Sequence, residues 1–351
     1  MEQSPVKPNK DLLKVKAETL GFDLFGVTDC AKPEHHEAYR LWLAEGYHGE
    51  MQYLETHLPL KADPRTLLPE AKSILVVALN YYAPELNSEF KIARYARGDD
   101  YHGFMKTMLE QLAQAIQVDQ PELIWRSFVD SGPLMERDLA QRAGLGWIGK
   151  NTCLIDPQKG SFFLLGCLLT NLDLEPDRPF ERFHCGTCTR CIDACPTQAI
   201  LEAHVLDARQ CISYWTIEQR ESIPETLRPQ FGDWAFGCDI CQEVCPWNQR
   251  FASLTQHSEF SPRDWIQNSS LEDLLLLTPK EFELKIAPKS PVKRPKYRGF
   301  IRNLAVVAGN SGNQGLLPVL NQAVLVHHDD SMLKEHLNWA IQQINRFDKL
   351  D

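Results

Sequence analysis

No stretch of the chain holds 18 consecutive apolar residues, which excludes a single helix long enough to cross a bilayer. The first residues, Met1-Glu-Gln-Ser-Pro-Val-Lys-Pro8, lack the apolar core of a secretory leader, so a cytoplasmic protein with no membrane partner is expected. A Walker loop and a zinc-hydrolase motif are both missing, and with them the phosphate cradle and the zinc site that those motifs build. Cations are in deficit. The 37 Lys and Arg face 47 Asp and Glu, a formal charge of −10, which argues against a general nucleic-acid coat. No long amphipathic zipper calls for obligate assembly, and a monomer is expected.

Cysteine is present in quantity, with 11 residues. One run, Cys185-x2-Cys188-x2-Cys191-x3-Cys195-Pro196, has the thiolate spacing that wraps a 4Fe–4S cube. A shorter run follows at Cys238-x2-Cys241-x3-Cys245-Pro246. In two-cluster ferredoxins the last Cys of each run ligates the other cluster. On that count cluster 1 takes Cys185, Cys188, Cys191 and Cys245, and cluster 2 takes Cys195, Cys238 and Cys241. The second set is one thiolate short, and Cys211, lying between the runs, is the candidate for the fourth bond.

Two CxxC pairs can also hold zinc. Here, however, three cysteines follow one another at x2 spacing, a fourth comes x3 later, and each run ends in Cys-Pro. Zinc is also redox-silent and would leave the duplicated motif without a purpose. Metal-binding thiols suit a compartment that keeps them reduced. Cys30, Cys153 and Cys167 sit in apolar or mixed segments and are expected to be small buried core residues. The pattern describes a protein that moves electrons one at a time.

At 351 residues the chain has room for two or three domains. In residues 1–175, Asn9 is placed to cap a helix carrying Leu12, Leu13, Ala17 and Leu20, ended by Gly21. Apolar strands are predicted at 22–27 and 74–79, with helical period from Phe104 to Ile116 between later strands. A strand at 123–129 ends at Asp130-Ser-Gly-Pro133, a helix covers 134–143, and strands at 152–155 and 161–169 complete the sheet. Such alternation predicts a layered α/β domain. Leu174-Glu-Pro-Asp-Arg-Pro179 marks a boundary. Residues 176–255 then hold all the ligand cysteines in a ferredoxin-like α+β domain, and 256–351 form an all-α region. Its last part is similar to one HEAT-type helical hairpin with a capping helix, which must lean on the rest of the protein to bury its faces.

Lys289 to Arg302 contains six cations and no acids, with Tyr297 and Phe300 interleaved. It reads as a solvated basic loop, or as a phosphate-contacting surface whose aromatics stack on an unpaired base. Gly144-Leu-Gly-Trp-Ile-Gly149 matches a dinucleotide fingerprint in letters only. It follows a helix and precedes a strand, the reverse of the order that points a helix N-terminus at a pyrophosphate.

Five further segments stand in order around the cysteine runs. They are Tyr47-His-Gly-Glu-Met-Gln-Tyr53, Arg94-Tyr-Ala-Arg-Gly-Asp-Asp-Tyr-His102, Phe128-Val-Asp-Ser-Gly-Pro-Leu-Met-Glu136, Gly144-Leu-Gly-Trp-Ile-Gly-Lys-Asn151 and Cys211-Ile-Ser-Tyr-Trp-Thr-Ile-Glu218. With them the chain resembles the QueG family of epoxyqueuosine reductases over nearly its full length. The resemblance implies a cobalamin in the N-terminal domain and kinship with reductive dehalogenases. It also implies the last step of queuosine synthesis, in which epoxyqueuosine at the tRNA wobble position takes up two electrons and two protons and loses water. Electrons would pass from an external one-electron donor such as ferredoxin or flavodoxin through the two 4Fe–4S clusters to cobalamin.

The same resemblance carries over residue roles. Asp130 becomes the proton donor, a role that needs its pKa lifted from about 3.9 by burial beneath macrocycle and substrate. From the residues alone, Asp130-Ser-Gly-Pro133 reads as a turn or helix cap. Tyr53, Asp130, Lys150, Asn151, Leu154, Ser213 and Tyr214 are implied as cobalamin contacts. Docking of tRNA would use Lys293, Arg294, Lys296, Arg298 and Arg302, with the wobble base flipped out of its stack. His102 reads as a surface or capping residue at a helix start, not a cobalt ligand, because no D-x-H-x-x-G motif surrounds it. Two rival readings stand beside this one: a corrinoid reductase of a small molecule such as an organohalide, and a ferredoxin-like carrier without catalysis.

Overall fold

The computed structural model describes residues 9–347; the Met1–Pro8 segment read above for targeting lies outside them. Helix α1 (Lys10–Thr19) begins where the Asn9 side chain accepts hydrogen bonds from the Asp11 and Leu12 amides. It buries Leu13 and Ala17, while Leu12 faces solvent. Strands β1 (Leu24–Asp29), β2 (Ser73–Asn80), β3 (Trp125–Val129) and β4 (Phe163–Thr170) form one sheet in the order β1-β2-β4-β3. All its pairings are antiparallel, with Val27 opposite Leu75, and Cys167 between Val76 and Phe128.

Every residue of β2 is buried because both faces of the sheet are covered. Successive side chains of a strand point to opposite faces. Leu75, Val77 and Leu79 therefore pack with Met105, Leu109 and Leu112 of helix α2 (Tyr101–Gln117), on the face that α1 also covers. Ile74 and Val76 pack with Leu139 and Ala140 of helix α3 (Glu136–Arg142) on the other. The layered architecture follows the sequence pattern, although alternating strands and helices ordinarily give parallel pairing.

One expected strand is not in this sheet. Leu154–Ile155 pairs instead with Trp147–Ile148 as a separate two-stranded hairpin. The turn closes through bonds from the Gly149 amide to the Cys153 carbonyl and from the Thr152 amide to the Gly149 carbonyl, each 2.8 Å. Gly146 is required there: its φ is +154°, and a Cβ would stand 2.2 Å from the Ile155 carbonyl oxygen.

The packing does not respect divisions of the chain at 175 and 255. Lys91–Ile92 pairs in parallel with Trp234–Phe236. Phe90, Ile92 and Ala93 share a core with Trp234 and Phe236, and with Phe282, Phe300 and Leu304 further along. Helix α4 (Ile212–Ile217) bears on the same core through Ile212. The C-terminal helices are α5 (Lys296–Ser311), α6 (Leu317–Val326) and α7 (Ser331–Phe347), and both α5 and α6 pack along α7. Gly309 lets α5 and α7 close up, since a Cβ there would lie 2.6 Å from the Trp339 ring.

The basic run is only partly the surface that was expected. Lys293, Arg294, Lys296 and Arg298 are exposed, but Arg302 is fully buried. Its guanidinium donates to the carbonyls of Trp215 (2.5 Å), Gln219 (3.0 Å) and Glu221 (2.6 Å), at and just beyond the end of α4. A cation there satisfies carbonyls that a helix end leaves without partners. Arg302 is structural and not available to RNA. Phe300 lies in the core, and Tyr297 donates to the Leu277 carbonyl at 2.7 Å, so neither aromatic is offered for stacking.

Candidate active site

Cys185, Cys188, Cys191 and Cys245 line one cavity of about 270 Å³. Their convergence follows from local folding. Cys185 and Cys188 lie on a turn closed by a 2.9 Å bond from the Cys188 amide to the Cys185 carbonyl. Cys191 sits on the short helix that follows, Arg190–Asp193, and Cys245 caps the helix Pro246–Phe251, whose proline suits a first helical turn. The Trp147 indole donates toward Cys185 Sγ at 3.5 Å, and Lys150 Nζ donates to the carbonyls of Gly186 (2.8 Å) and Cys188 (3.0 Å). An all-sulfur donor set around a roomy cavity fits an iron–sulfur cube.

The remaining ligand candidates form a second group. Cys211 lies near Cys195, Cys238 near both, and Cys241 near Cys238 and Cys211. Cys30 and Cys167 are buried in the apolar core as expected. Cys153 is different, since it lies within hydrogen-bonding reach of Cys241 beside this second thiol group. Asn151 links the two, donating to the Cys241 carbonyl (3.3 Å) and accepting from the Cys153 amide (3.3 Å).

Asp130 ends β3 with a left-handed backbone, φ 45°, which Asp tolerates better than most residues. Its Oδ2 accepts from the Tyr101 hydroxyl at 2.8 Å and faces His102 Nε2 at 3.2 Å. On its other side the His102 ring faces Asp100 Oδ1 through Nδ1 at 2.7 Å, and Lys293 closes the chain on Asp100 Oδ2 at 2.7 Å. With a carboxylate at each nitrogen, the imidazole is held doubly protonated. Burial alone would lower it, but the bonds to Asp100 and Asp130 prevail and raise its pKa to about 9.

The side chain of Asp130 is 63% exposed, yet its charge acts on Tyr53, Lys61, Glu136 and Arg294 around it. It therefore stands on the floor of an open hollow. Burial pushes its carboxyl up, while the hydrogen bonds from His102 and Tyr101 outweigh that and leave it below its ordinary value. With the hollow open, the proton resides on His102, whereas the raised carboxyl was expected beneath macrocycle and substrate. No spacing rule links positions 28 residues apart, although a cap at Asp100 followed by His102 was a local signal.

The other predicted contacts divide. Tyr53 opens onto the same hollow, with the Arg294 guanidinium 5.9 Å over its ring and Glu218 paired to Arg294 at 3.1 Å. Ser213 is half-buried on α4. The Tyr214 hydroxyl accepts from the Glu50 amide at 2.8 Å, the Leu154 side chain is in the core, and Lys150 is committed to the Cys185–Cys191 loop. Those three side chains do not converge on Asp130. Between Asp130 and the second thiol group runs a short path: Tyr101 packs on Tyr95 with ring centroids 5.9 Å apart, and the neighbouring Arg94 amide donates to Asp239, next to Cys238, at 2.8 Å.

Two thiol groups joined by this path to an acid-bearing hollow define an iron–sulfur redox enzyme, and the family described as "4Fe-4S double cluster binding domain" matches residues 184–248. The family "Epoxyqueuosine reductase QueG, DUF1730" matches residues 61–131. The epoxyqueuosine reductase of Cellulophaga algicola is 44% identical over 307 residues, covering 84% of this chain and 97% of that protein. That of Xanthomonas campestris is 41% identical over 342 residues, 94% of this chain and 95% of that one. A solved structure of epoxyqueuosine reductase with an epoxyqueuosine-modified tRNA-Tyr stem loop superposes with a TM-score of 0.85 at 30% identity, covering 95% of this chain and 90% of that chain. The chain belongs to the epoxyqueuosine reductase family.

Proposed function

We propose that this chain reduces epoxyqueuosine to queuosine at the wobble position of tRNA. The observation that supports it most is the placement of Asp130. The carboxyl stands at the bottom of an open hollow, in contact with a protonated His102 and joined through Tyr101, Tyr95, Arg94 and Asp239 to the second thiol group. Loss of the epoxide oxygen needs a proton where the C–O bond opens, because an alkoxide leaves poorly. Asp130 takes that proton from His102 Nε2 and gives it to the oxygen, and the imidazole is then reprotonated from solvent. The second proton completes the departing water, so two protons match the two electrons consumed.

Tyr53, Asp130, Ser213 and the main chain of 150–154 would hold cobalamin, with the side chain of Asn151 on the cluster side. Cobalamin, when bound, supplies a metal macrocycle able to pass an electron pair to carbon, and the two clusters supply single electrons. Cys185, Cys188, Cys191 and Cys245 would hold one cluster, and Cys195, Cys211, Cys238 and Cys241 the other. Covering the hollow with macrocycle and RNA removes water from Asp130, which strengthens the upward push on its carboxyl and moves the shared proton toward it. Lys293, Arg294, Lys296 and Arg298 would meet the phosphates of the anticodon arm, at the entry to the helical C-terminal region. Ion pairs with Asp100, Glu218 and Asp330 hold Lys293, Arg294 and Arg298 in place.

The test is nucleoside mass spectrometry of tRNA from a strain deleted for this chain. Epoxyqueuosine is expected to accumulate and the wild-type chain to restore queuosine; unchanged queuosine in the deletion strain would sink the reading.

A further inference from the structure

The two thiol groups differ in their surroundings, although Cys245 of the first is buried and Pro196 and Gln198 beside Cys195 of the second are exposed. Around the second group, Thr197, Ile212, Tyr214, Gly237, Asp239 and Gln242 are all buried. Around the first, His184, Gly186, Thr187, Thr189 and Arg190 are exposed, so its cavity opens at the surface. The path through Asp239, Arg94, Tyr95 and Tyr101 joins the second group to Asp130. The first group is therefore the outer one.

Charge at that outer cavity runs against the rest of the molecule. Its lining includes Lys150, Arg190 and Arg250 and no Asp or Glu, in a chain of net charge −10. Lys150 turns inward to the cysteine loop, but both arginines are exposed. Among the described residues neither pairs with a carboxylate: Arg190 reaches only the Gln249 side chain at 3.4 Å, and Arg250 lies over the Phe251 ring at 5.0 Å. Nearby Phe183 is 45% exposed and packs on His204, whose amide donates to the Lys150 carbonyl. Unpaired cations with an exposed aromatic beside a redox centre make a surface that attracts a partner of opposite charge.

We propose that this face is the electron-entry dock, and that its partner is a small acidic protein carrying a one-electron redox group near its own surface. Each docking transfers one electron: the carrier is oxidised by one, the Cys185–Cys188–Cys191–Cys245 cluster is reduced by one, and no bond or proton moves. Two dockings supply one turnover. The proposal rests on the cluster assignment of the preceding section.

The test uses the full chain with both clusters loaded, and variant Arg190→Glu/Arg250→Glu. Reduction of the clusters is followed by their visible bleaching after anaerobic mixing with a reduced acidic ferredoxin. A control variant, Lys280→Glu/Lys334→Glu, carries the same change in net charge on the C-terminal helices. At low ionic strength the dock variant is expected to slow the second-order rate at least tenfold and to flatten its salt dependence, with the control near wild type. Reduction by the neutral 5-deazariboflavin radical is expected to be unchanged. Equal carrier rates in dock variant and wild type, or an equal loss in the control, would overturn the proposal. Iron well short of eight atoms in the wild-type chain would instead overturn the cluster assignment beneath it.

Discussion

His102 Nε2 faces Asp130 Oδ2 at 3.2 Å, while its other nitrogen is pinned to Asp100 at 2.7 Å. The arrangement puts a cation against the carboxyl proposed as the proton donor, and it makes the ionisation of the pair a property of three residues.

Replacement of Asp130 by Asn keeps a residue that accepts the left-handed backbone at φ 45° and removes the transferable proton. Single-turnover rates should fall by about 10²- to 10⁴-fold, the usual contribution of a positioned acid. Iron content and cobalamin retention should be those of wild type.

The pH dependence of stability has a defined sign. Pairing raises the folded-state His102 from its ordinary value near 6.5 to about 9. Its stabilising contribution is therefore full below about pH 6.5 and is lost as pH climbs through about 9. The difference in urea midpoint between wild type and His102→Gln should shrink over that window. In single-turnover assays His102→Gln should also lose the alkaline limb near pH 9; an unchanged limb would assign that ionisation elsewhere.

Cys211 and Cys153 lie on the same thiol group but should behave differently. Cys211→Ala should cost one cluster and leave about four irons per chain, whereas Cys153→Ala should keep about eight. Iron and sulfide analysis of anaerobic preparations decides between ligand and neighbour.

Arg294 and Arg302 should separate docking from folding. Arg294→Glu should weaken tRNA binding and lower the slope of its salt dependence by about one phosphate contact. Arg302→Ala strands the carbonyls of Trp215, Gln219 and Glu221 and should cost about 3 kcal/mol in denaturant unfolding. Its salt slope for tRNA should match wild type.

These contrasts mark where sequence reading reached and where it stopped. The grouping of Cys245 with Cys185, Cys188 and Cys191 was legible, because the crossover of ligands between runs is a counting rule. Elements with strong periodicity, such as α2 and β2, were legible for the same kind of reason. Arg302 was misread because a linear charge run hides helical geometry: one turn beyond exposed Arg298, the same face of α5 passes beneath the end of α4. The His102–Asp130 contact and the pairing of Lys91–Ile92 with Trp234–Phe236 join positions far apart in the chain, and no local pattern encodes them.

The ribosome completes Cys191 more than fifty residues before Cys245, and Phe90 long before the helices of the last fifty residues that cover it. The outer thiol cage is whole only once Cys245 has been made, and the largest apolar core only once residues beyond 300 have joined it. The outer cage therefore cannot be filled before Cys245 has left the ribosome, and a chain cut short ahead of that residue should lack the outer cluster.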